Sequence, residues 1–233
     1  MNIEEKYQPR FFSDLVFADN TARNTCNRYA TGKPYKPLML WGPPGTAKTT
    51  TARVIVRERF LASGYDGHIE EFNGADIDAS HFKKFLNVAN LLQLNSTNPI
   101  LIINEFDEID KDDQKKFRSW MDTWKWIDLI VTTNEKPGIQ GVRQKLIPAL
   151  ISRFERVELA SPSLSDWLPR AQEIFAAEGH QVTQQELQQL LGTFDGDARD
   201  MLPLIEEALD GLSPSTPPPP SKPSLRVVSS QAK

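Results

Sequence analysis

One cysteine, Cys26, stands in 233 residues. A lone thiol excludes an internal disulfide framework and a cysteine-rich zinc site, and it suits a reducing compartment. The expectation for it is a partly buried, inert side chain. Positive charge is not in excess either, since 27 Lys and Arg against 31 Asp and Glu leave a net charge of −4. Contact with nucleic acid must then come from a local basic patch rather than a global field. No apolar run approaches the ~20 residues of a membrane span. The opening MNIEEKYQPR is acidic where a secretory leader is basic and then apolar. The chain is therefore expected to be cytoplasmic, with no membrane partner. Internal repeats are absent as well.

What is present has the balance of an ordinary globular protein, 39% hydrophobic and 25% charged. Short apolar runs alternate with helical patterns. The runs at 37–41, 68–72, 100–103, 127–132 and 156–159 predict five strands, and the patterns at 48–63, 80–94 and 112–124 predict the helices between them. Asp112 or Asp113 is placed to cap the third of these helices. Alternation of this kind implies a mostly parallel sheet covered on both faces. From 161 to 212 only helical patterns occur, including 184–191 and 198–209. The fold class is thus α/β, a parallel five-stranded core over 1–160 followed by a small all-helical domain over 161–212. Residues 213–233, which open SPSTPPPPSKPS, are Pro- and Ser-rich without an apolar period and are expected to be a disordered tail. Trp120, Trp124 and Trp126 invite a base-stacking reading, but a helical stripe of this kind is core.

The segment Gly42-Pro43-Pro44-Gly45-Thr46-Ala47-Lys48-Thr49 fits the pattern G-x-x-x-x-G-K-[ST], with Ala47 at the last glycine position. A glycine-rich turn lets successive backbone N–H groups point at phosphate oxygens, and the helix behind it offers its positive end. Lys48 is expected on the β- and γ-phosphates, Thr49 on Mg²⁺, and Thr50 beside it at the helix start. A positive φ at Ala47 would make its methyl group costly. The substrate is a nucleoside triphosphate.

The second station of such a site is an acidic pair ending a neighbouring buried strand. The run ILIINEFDEID supplies Glu105, with Asn104 where an aspartate is usual. Glu105 is placed to polarise an attacking water, and Asn104 to accept from a metal-bound water without bringing charge. Thr49, Asn104 and Glu105 are the candidate metal residues.

These segments, with several others, resemble AAA+ ATPases of the clamp-loader branch, namely replication factor C small subunits and the ATPase subunit of T-even phage clamp loaders. Glu5-Lys6-Tyr7-Gln8-Pro9-Arg10, leading to Val16, is similar to an opening that lies beside the adenine base in that family. Asn73-Gly74-Ala75-Asp76, Gln114–Asp122, Thr132-Thr133-Asn134, Ser152-Arg153-Phe154 and Gly196-Asp197-Ala198-Arg199 follow in the family's order, so the resemblance spans residues 5 to about 210. It implies ATP and Mg²⁺ as ligands, with the helical domain as a lid. It also implies Asn134 as a sensor of the γ-phosphate, Arg199 acting on the same nucleotide, and Arg153 acting on a neighbour's nucleotide. The implied partners are a sliding clamp, other loader subunits or copies of this chain in a ring or spiral, and primer-template DNA. Matching DNA-contact positions are Lys83 and Lys84 on one helix and Lys115, Lys116 and Arg118 on another. Plainer readings stand beside these. Arg153 has surface pairing with Glu155 or Glu158, Arg199 pairing with Asp195, Asp197 or Asp200, and Asn134 a turn role. The lysines have solvated helix faces.

Three departures bear on function, one of them the interval from Asn134 to Arg153, which is longer than in the family the chain resembles. Ala47 and Asn104 both weaken the expectation of rapid turnover, and the proline-rich segment stands where the family continues into a collar domain. Clamp loading is the first reading. A nucleotide-gated assembly module is the second, and a motor ATPase such as a branch-migration helicase is the third, without a pore-loop signature.

Overall fold

Alternate residues of the strands feed two different cores. Leu38, Leu40, Ile100, Ile102 and Ile130 point to one face of the sheet, and Met39, Leu101, Ile103, Leu129 and Val131 to the other. A strand buried on both faces needs this unbroken apolar run, because successive side chains alternate across the pleat. The computed structural model describes residues 2–32, 36–63, 68–77, 79–92, 99–123, 125, 127–138 and 145–212.

The chain runs α1 (Ile3–Tyr7), α2 (Asn20–Thr31), β1 (Leu38–Trp41), α3 (Lys48–Ser63), β2 (Ile69–Asn73), α4 (Ala79–Leu92), β3 (Ile100–Asn104) and α5 (Lys111–Thr123). It continues through β4 (Asp128–Thr133), α6 (Pro148–Ile151), β5 (Glu155–Glu158), α7 (Leu164–Ala177), α8 (Gln184–Leu190) and α9 (Ala198–Asp210). The five strands form one parallel sheet in the order β2-β3-β4-β1-β5. The register aligns Trp41 with Thr133 and Asn73 with Asn104, so the strand ends converge along one rim. In open parallel sheets that carboxyl-terminal rim is where ligands bind.

Helices α2 and α3 cover one face, with Ala22, Cys26, Tyr29, Ala52 and Ile55 in its core. On the other face lie Phe82 and Phe85 of α4 and Phe117 of α5. Trp120 stacks on Phe82 with ring centroids 4.1 Å apart, so this member of the tryptophan stripe is core, as expected. Trp124 and Trp126 lie outside the described residues, as does 213–233. Cys26 is fully buried rather than partly so, and burial pushes its thiol up to about 12.

Local chemistry sets the helix starts. Ser163 with Asp166 and Thr183 with Glu186 form capping boxes for α7 and α8. Asp197 caps α9 through the N–H of Arg199. For α5 the expected caps, Asp112 or Asp113, are corrected. The helix begins at Lys111, and it is Asp110 whose carboxylate accepts from the Asp112 N–H at 2.8 Å. Either aspartate of that pair is a chemically sound cap, so residue type alone did not separate them from Asp110.

Helices α7, α8 and α9 share a third core around Trp167, Phe175, Leu187, Met201 and Ile205. Ile3, Tyr7 and Val16, near the chain start, pack against this helical core rather than against the sheet. Glu178, just after α7, accepts from both Lys6 Nζ and Tyr7 Oη at 2.5 Å. The opening segment is thereby fastened to the helices at the far end of the sequence.

Candidate nucleotide-binding site

The turn between β1 and α3 is built from close approaches that only small residues permit. A Cβ on Gly42 would overlap the Leu159 carbonyl, and one on Gly45, at φ +77°, would overlap the Asp197 carboxylate. Ala47 occupies the left-handed region at φ 58°, as does Glu105 at φ 51°. An L-residue there costs roughly 1–2 kcal/mol. Strain of this kind concentrates at functional sites, and both residues face the same cavity.

That cavity has a volume of about 500 Å³. Its floor is the turn and the start of α3, from Gly45 to Thr50. Glu105, Thr132, Thr133 and Asn134, from the ends of β3 and β4, form one wall. Trp167, Arg170 and Ile174 of α7, with Ala198, Arg199 and Leu202 of α9, form the roof. Tyr7, Gln8 and Pro9 close one side. Arg10 and Val16 are absent from this lining. Arg10 donates its N–H to Asp14 Oδ2 at 2.9 Å, and Val16 packs into the helical core. Gly42, Pro43 and Pro44 are also behind the lining and shape the turn instead.

Lys48 is buried, and its ammonium donates to the carbonyls of Gly42 at 2.9 Å and Pro43 at 2.6 Å. Burial, followed by the nearby Arg199 guanidinium, brings its pKa down to about 8. Thr49 donates its hydroxyl to Asn104 Oδ1 at 2.9 Å, and the Thr132 hydroxyl donates to the same oxygen at 3.2 Å. The Glu105 carboxylate accepts from Asn73 Nδ2 at 3.0 Å, and the Glu105 N–H donates to the Thr132 hydroxyl. Gly74 is pressed against the Glu105 carbonyl, leaving no room for a side chain. Asn134 follows Thr133 directly and is exposed at the cavity wall. Arg199 reaches the cavity from the opposite side, and among the described residues it forms no ion pair with Asp195, Asp197 or Asp200.

Magnesium fits this donor set in one respect. Thr49 and Asn104 offer neutral, hard oxygens beside the turn, as Mg²⁺ prefers. Among the described residues no group of three or more His, Cys, Asp or Glu is placed to hold a metal. The negative charge around such an ion would therefore come mainly from a nucleotide's phosphates.

Three further residues escaped the reading of the sequence. Asp107 is buried, accepts from the Thr133 hydroxyl at 2.8 Å and receives Lys145 Nζ at 3.4 Å, fixing the wall next to Asn134. Gln114 is fully buried. It donates to the carbonyls of Ile109 and Lys145, and its amide oxygen accepts from the Ile147 N–H, stapling the segment before α6 onto α5. Arg170 pairs with Asp14 at 3.0 Å, both largely buried at the cavity's side.

Arg153 lies away from this cavity, after α6. It pairs with Asp122 of α5, not with Glu155 or Glu158; Glu155 is taken by Arg28 and Tyr29. The lysine positions are exposed on α4 and α5. Lys83, Lys84 and Arg118 face solvent, while Lys115 and Lys116 are bound to Asp112 and Asp113, each at 2.7 Å. Among the described residues no helix is long and apolar enough to cross a membrane.

A phosphate-loop turn at the rim of a parallel sheet, roofed by α7 and α9, defines a P-loop nucleotide-binding protein. The family model described as "ATPase family associated with various cellular activities (AAA)" matches residues 38–161, more than half of the chain. The chain belongs to the AAA family. It is 23% identical over 207 residues to replication factor C subunit 5 of Mus musculus, covering 87% of this chain and 58% of that protein. Identity to replication factor C subunit 3 of Oryza sativa subsp. japonica is 27% over 208 residues, covering 87% and 55%. The chain thus spans a little over half the length of these curated relatives. Among solved structures, the Holliday junction branch migration motor RuvB of Thermotoga maritima superposes with a TM-score of 0.64 at 17% identity, over 88% of this chain and 65% of that one. Domain III of the replication initiation protein DnaA from the same organism gives 0.61 at 15% identity, over 87% and 90%. At such identities the likeness is one of fold, and the five-stranded parallel P-loop architecture agrees with it.

Proposed function

We propose that this chain is an ATPase subunit of a DNA-polymerase sliding-clamp loader, using ATP to place a clamp on primer-template DNA. The observation that carries the reading is similarity to replication factor C subunits over 87% of the chain. The proposed division is a nucleotide-binding domain to residue 160 and a lid over 161–212.

In this reading the triphosphate lies along the turn, with backbone N–H groups of residues 45–50 toward its phosphates. Its base lies between Tyr7, Pro9 and the lid. Lys48 exchanges its two carbonyl partners for phosphate oxygens. A bound Mg²⁺ would neutralise developing phosphate charge, held from the protein side by Thr49 with Asn104 behind it. Glu105, released by Asn73, orients water toward the γ-phosphate, and Asn134 fixes that water's position. Arg199 meets the same γ-phosphate from the lid, while Arg153 reaches a neighbouring subunit's nucleotide. Cations converging on the transferring phosphoryl group are the main source of rate in such chemistry. Lys83, Lys84 and Arg118 contribute salt-sensitive contact with a DNA backbone, joined by Lys115 and Lys116 once these leave their aspartates.

Steady-state ATP hydrolysis, with and without primed DNA and a sliding clamp, tests the reading. Stimulation by the two together supports it. Tight ATP binding with no hydrolysis under any of these conditions overturns it and leaves a nucleotide-gated assembly module, the reading that the uncharged Asn104 favours.

A further inference from the structure

We propose that Glu71 is a positioning residue for the divalent cation of this site, acting through the orientation of the Asn104 amide. The inference rests on the nucleotide-site reading above and adds to it a residue of β2 that lies outside the cavity lining.

Asn104 is contacted on both ends. Its oxygen accepts from the hydroxyls of Thr49 at 2.9 Å and Thr132 at 3.2 Å, and its nitrogen donates to Glu71 Oε1 at 2.6 Å. The two threonines do not decide which way round the amide sits, because a hydroxyl donates or accepts as required. Glu71 decides it. A carboxylate is an acceptor only, so it holds the NH₂ end and turns the oxygen toward Thr49.

Glu71 is itself fixed. Arg53, one helical turn beyond Thr49 on α3, donates to it from Nε at 2.9 Å and from Nη2 at 2.7 Å. That guanidinium, and next the Asn104 amide, hold the Glu71 carboxyl below the usual carboxylate range. The charge-assisted bonds give the arrangement a definite geometry.

The orientation matters to a cation because of what it does to Thr49. With the amide oxygen facing it, the Thr49 hydroxyl gives away its proton in a hydrogen bond and keeps its lone pairs for a metal. With the amide reversed, Asn104 would donate to Thr49, occupy a lone pair and turn N–H groups toward the cation. A neutral residue in an otherwise acidic position is thus made serviceable by an acidic neighbour one strand away. Asn104 and Glu71 form a matched pair. An aspartate at 104 could still accept from both threonines, but it would meet Glu71 carboxylate to carboxylate.

The experiment is a titration of a fluorescent ADP analogue against the full chain at increasing Mg²⁺, with an EDTA arm, for wild type, Glu71→Ala, Glu71→Gln and Arg53→Ala. Outer-shell partners of metal sites are worth about 10–100-fold in metal affinity. Glu71→Ala is expected to raise the Mg²⁺ concentration for half-maximal tightening about tenfold, leaving affinity in EDTA and the thermal midpoint in place. Glu71→Gln keeps one acceptor and the side-chain size, so a smaller shift is expected, and it carries the comparison if the alanine variant unfolds. Arg53→Ala is expected to shift the midpoint less than Glu71→Ala. Asn104→Asp combined with Glu71→Gln is expected to bind Mg²⁺ more tightly than Asn104→Asp alone. An unchanged Mg²⁺ midpoint in both Glu71 variants overturns the inference alone, as does an equal loss of affinity in EDTA. A wild-type protein whose nucleotide affinity ignores Mg²⁺ overturns the metal-site reading and the inference with it.

Discussion

Asp122 grips Arg153 with a two-pronged hydrogen bond, from Nε to Oδ1 at 2.8 Å and from Nη2 to Oδ2 at 2.6 Å. The pair joins the end of α5 to the turn after α6, and it occupies the guanidinium that the proposed mechanism sends to a neighbouring subunit. A solvent-exposed ion pair of this kind is weak, screened by water and salt. The contact therefore parks Arg153 without locking it. In assembled protein, Arg153→Ala is expected to lower ATP hydrolysis by roughly 10³ or more, the order assigned to such arginines. Nucleotide affinity of the isolated chain should stay unchanged. Asp122→Asn is expected to raise the assembled rate by about 2–5-fold, in keeping with the weak pair it releases. Equal rates for wild type and Arg153→Ala would remove Arg153 from the chemistry.

Ala47 makes a prediction that runs against the usual rule. Alanine is ordinarily worth more than glycine in a folded chain because it has less freedom to lose. At φ 58° the order reverses, since the alanine methyl is held in the left-handed region. Ala47→Gly is expected to stabilise the nucleotide-free protein by up to about 1 kcal/mol, the strain relieved less the added chain entropy. Urea unfolding monitored by circular dichroism reads this directly. A destabilised variant would show that the methyl group contributes packing that outweighs its strain.

Gly45 ties the phosphate turn to the lid. Its carbonyl accepts from the Ala198 N–H at 2.8 Å, and its Cα faces the Asp197 carboxylate with no space between for a methyl group. Gly45→Ala must therefore displace the Asp197 carboxylate from the Arg199 N–H it caps, loosening the start of α9 beside the turn. The expected result is a loss of about 1–3 kcal/mol in stability together with at least a tenfold weaker affinity for nucleotide. Asp197→Ala opens the needed space but removes the α9 cap, at about 1 kcal/mol. The double variant is accordingly expected to bind nucleotide better than Gly45→Ala alone. Additive losses in affinity would separate the turn from the lid.

The inner strands were legible because they carry a single-valued signal. ILII and LIV are apolar on every residue, as strands covered on both faces must be, and the glycine-rich turn marks where α3 begins. What was not legible depended on pairing across the fold. Gln114 reads as a surface polar residue on an amphipathic helix, yet it is fully buried, because the Ile109 carbonyl nearby and two backbone groups of a distant segment, at Lys145 and Ile147, satisfy it. Asp107 looks like one more acid in a solvated run until Thr133 and Lys145 close around it. Arg153 was given neighbours in sequence, Glu155 and Glu158, but its partner lies 31 positions earlier on another helix. Nor does sequence spacing reveal that Glu71 meets Asn104, since register between β2 and β3 decides it.

Lys48 gives the molecule a pH signature. Its pKa in the folded protein is about 8, below its ordinary value of 10.5, because burial disfavours the charged form and Arg199 repels it. Between these values the unfolded chain holds a proton that the folded chain has given up. Stability of the nucleotide-free protein, as far as this group contributes, therefore rises with pH across that window. Below the window both states are protonated, and the contribution is a constant cost. Lys48→Met removes the titration, so the stability difference between wild type and variant is expected to climb from about pH 8 to 10 and to be flat below it. Triphosphate should remove the climb, because an anion against the ammonium restores the charged form and brings the pKa back up. Denaturant unfolding of both proteins across that range, with and without ATP, makes the measurement. Parallel curves for wild type and Lys48→Met without ATP would mean that the ammonium is charged at the turn throughout, with the carbonyls of Gly42 and Pro43 compensating its burial in full.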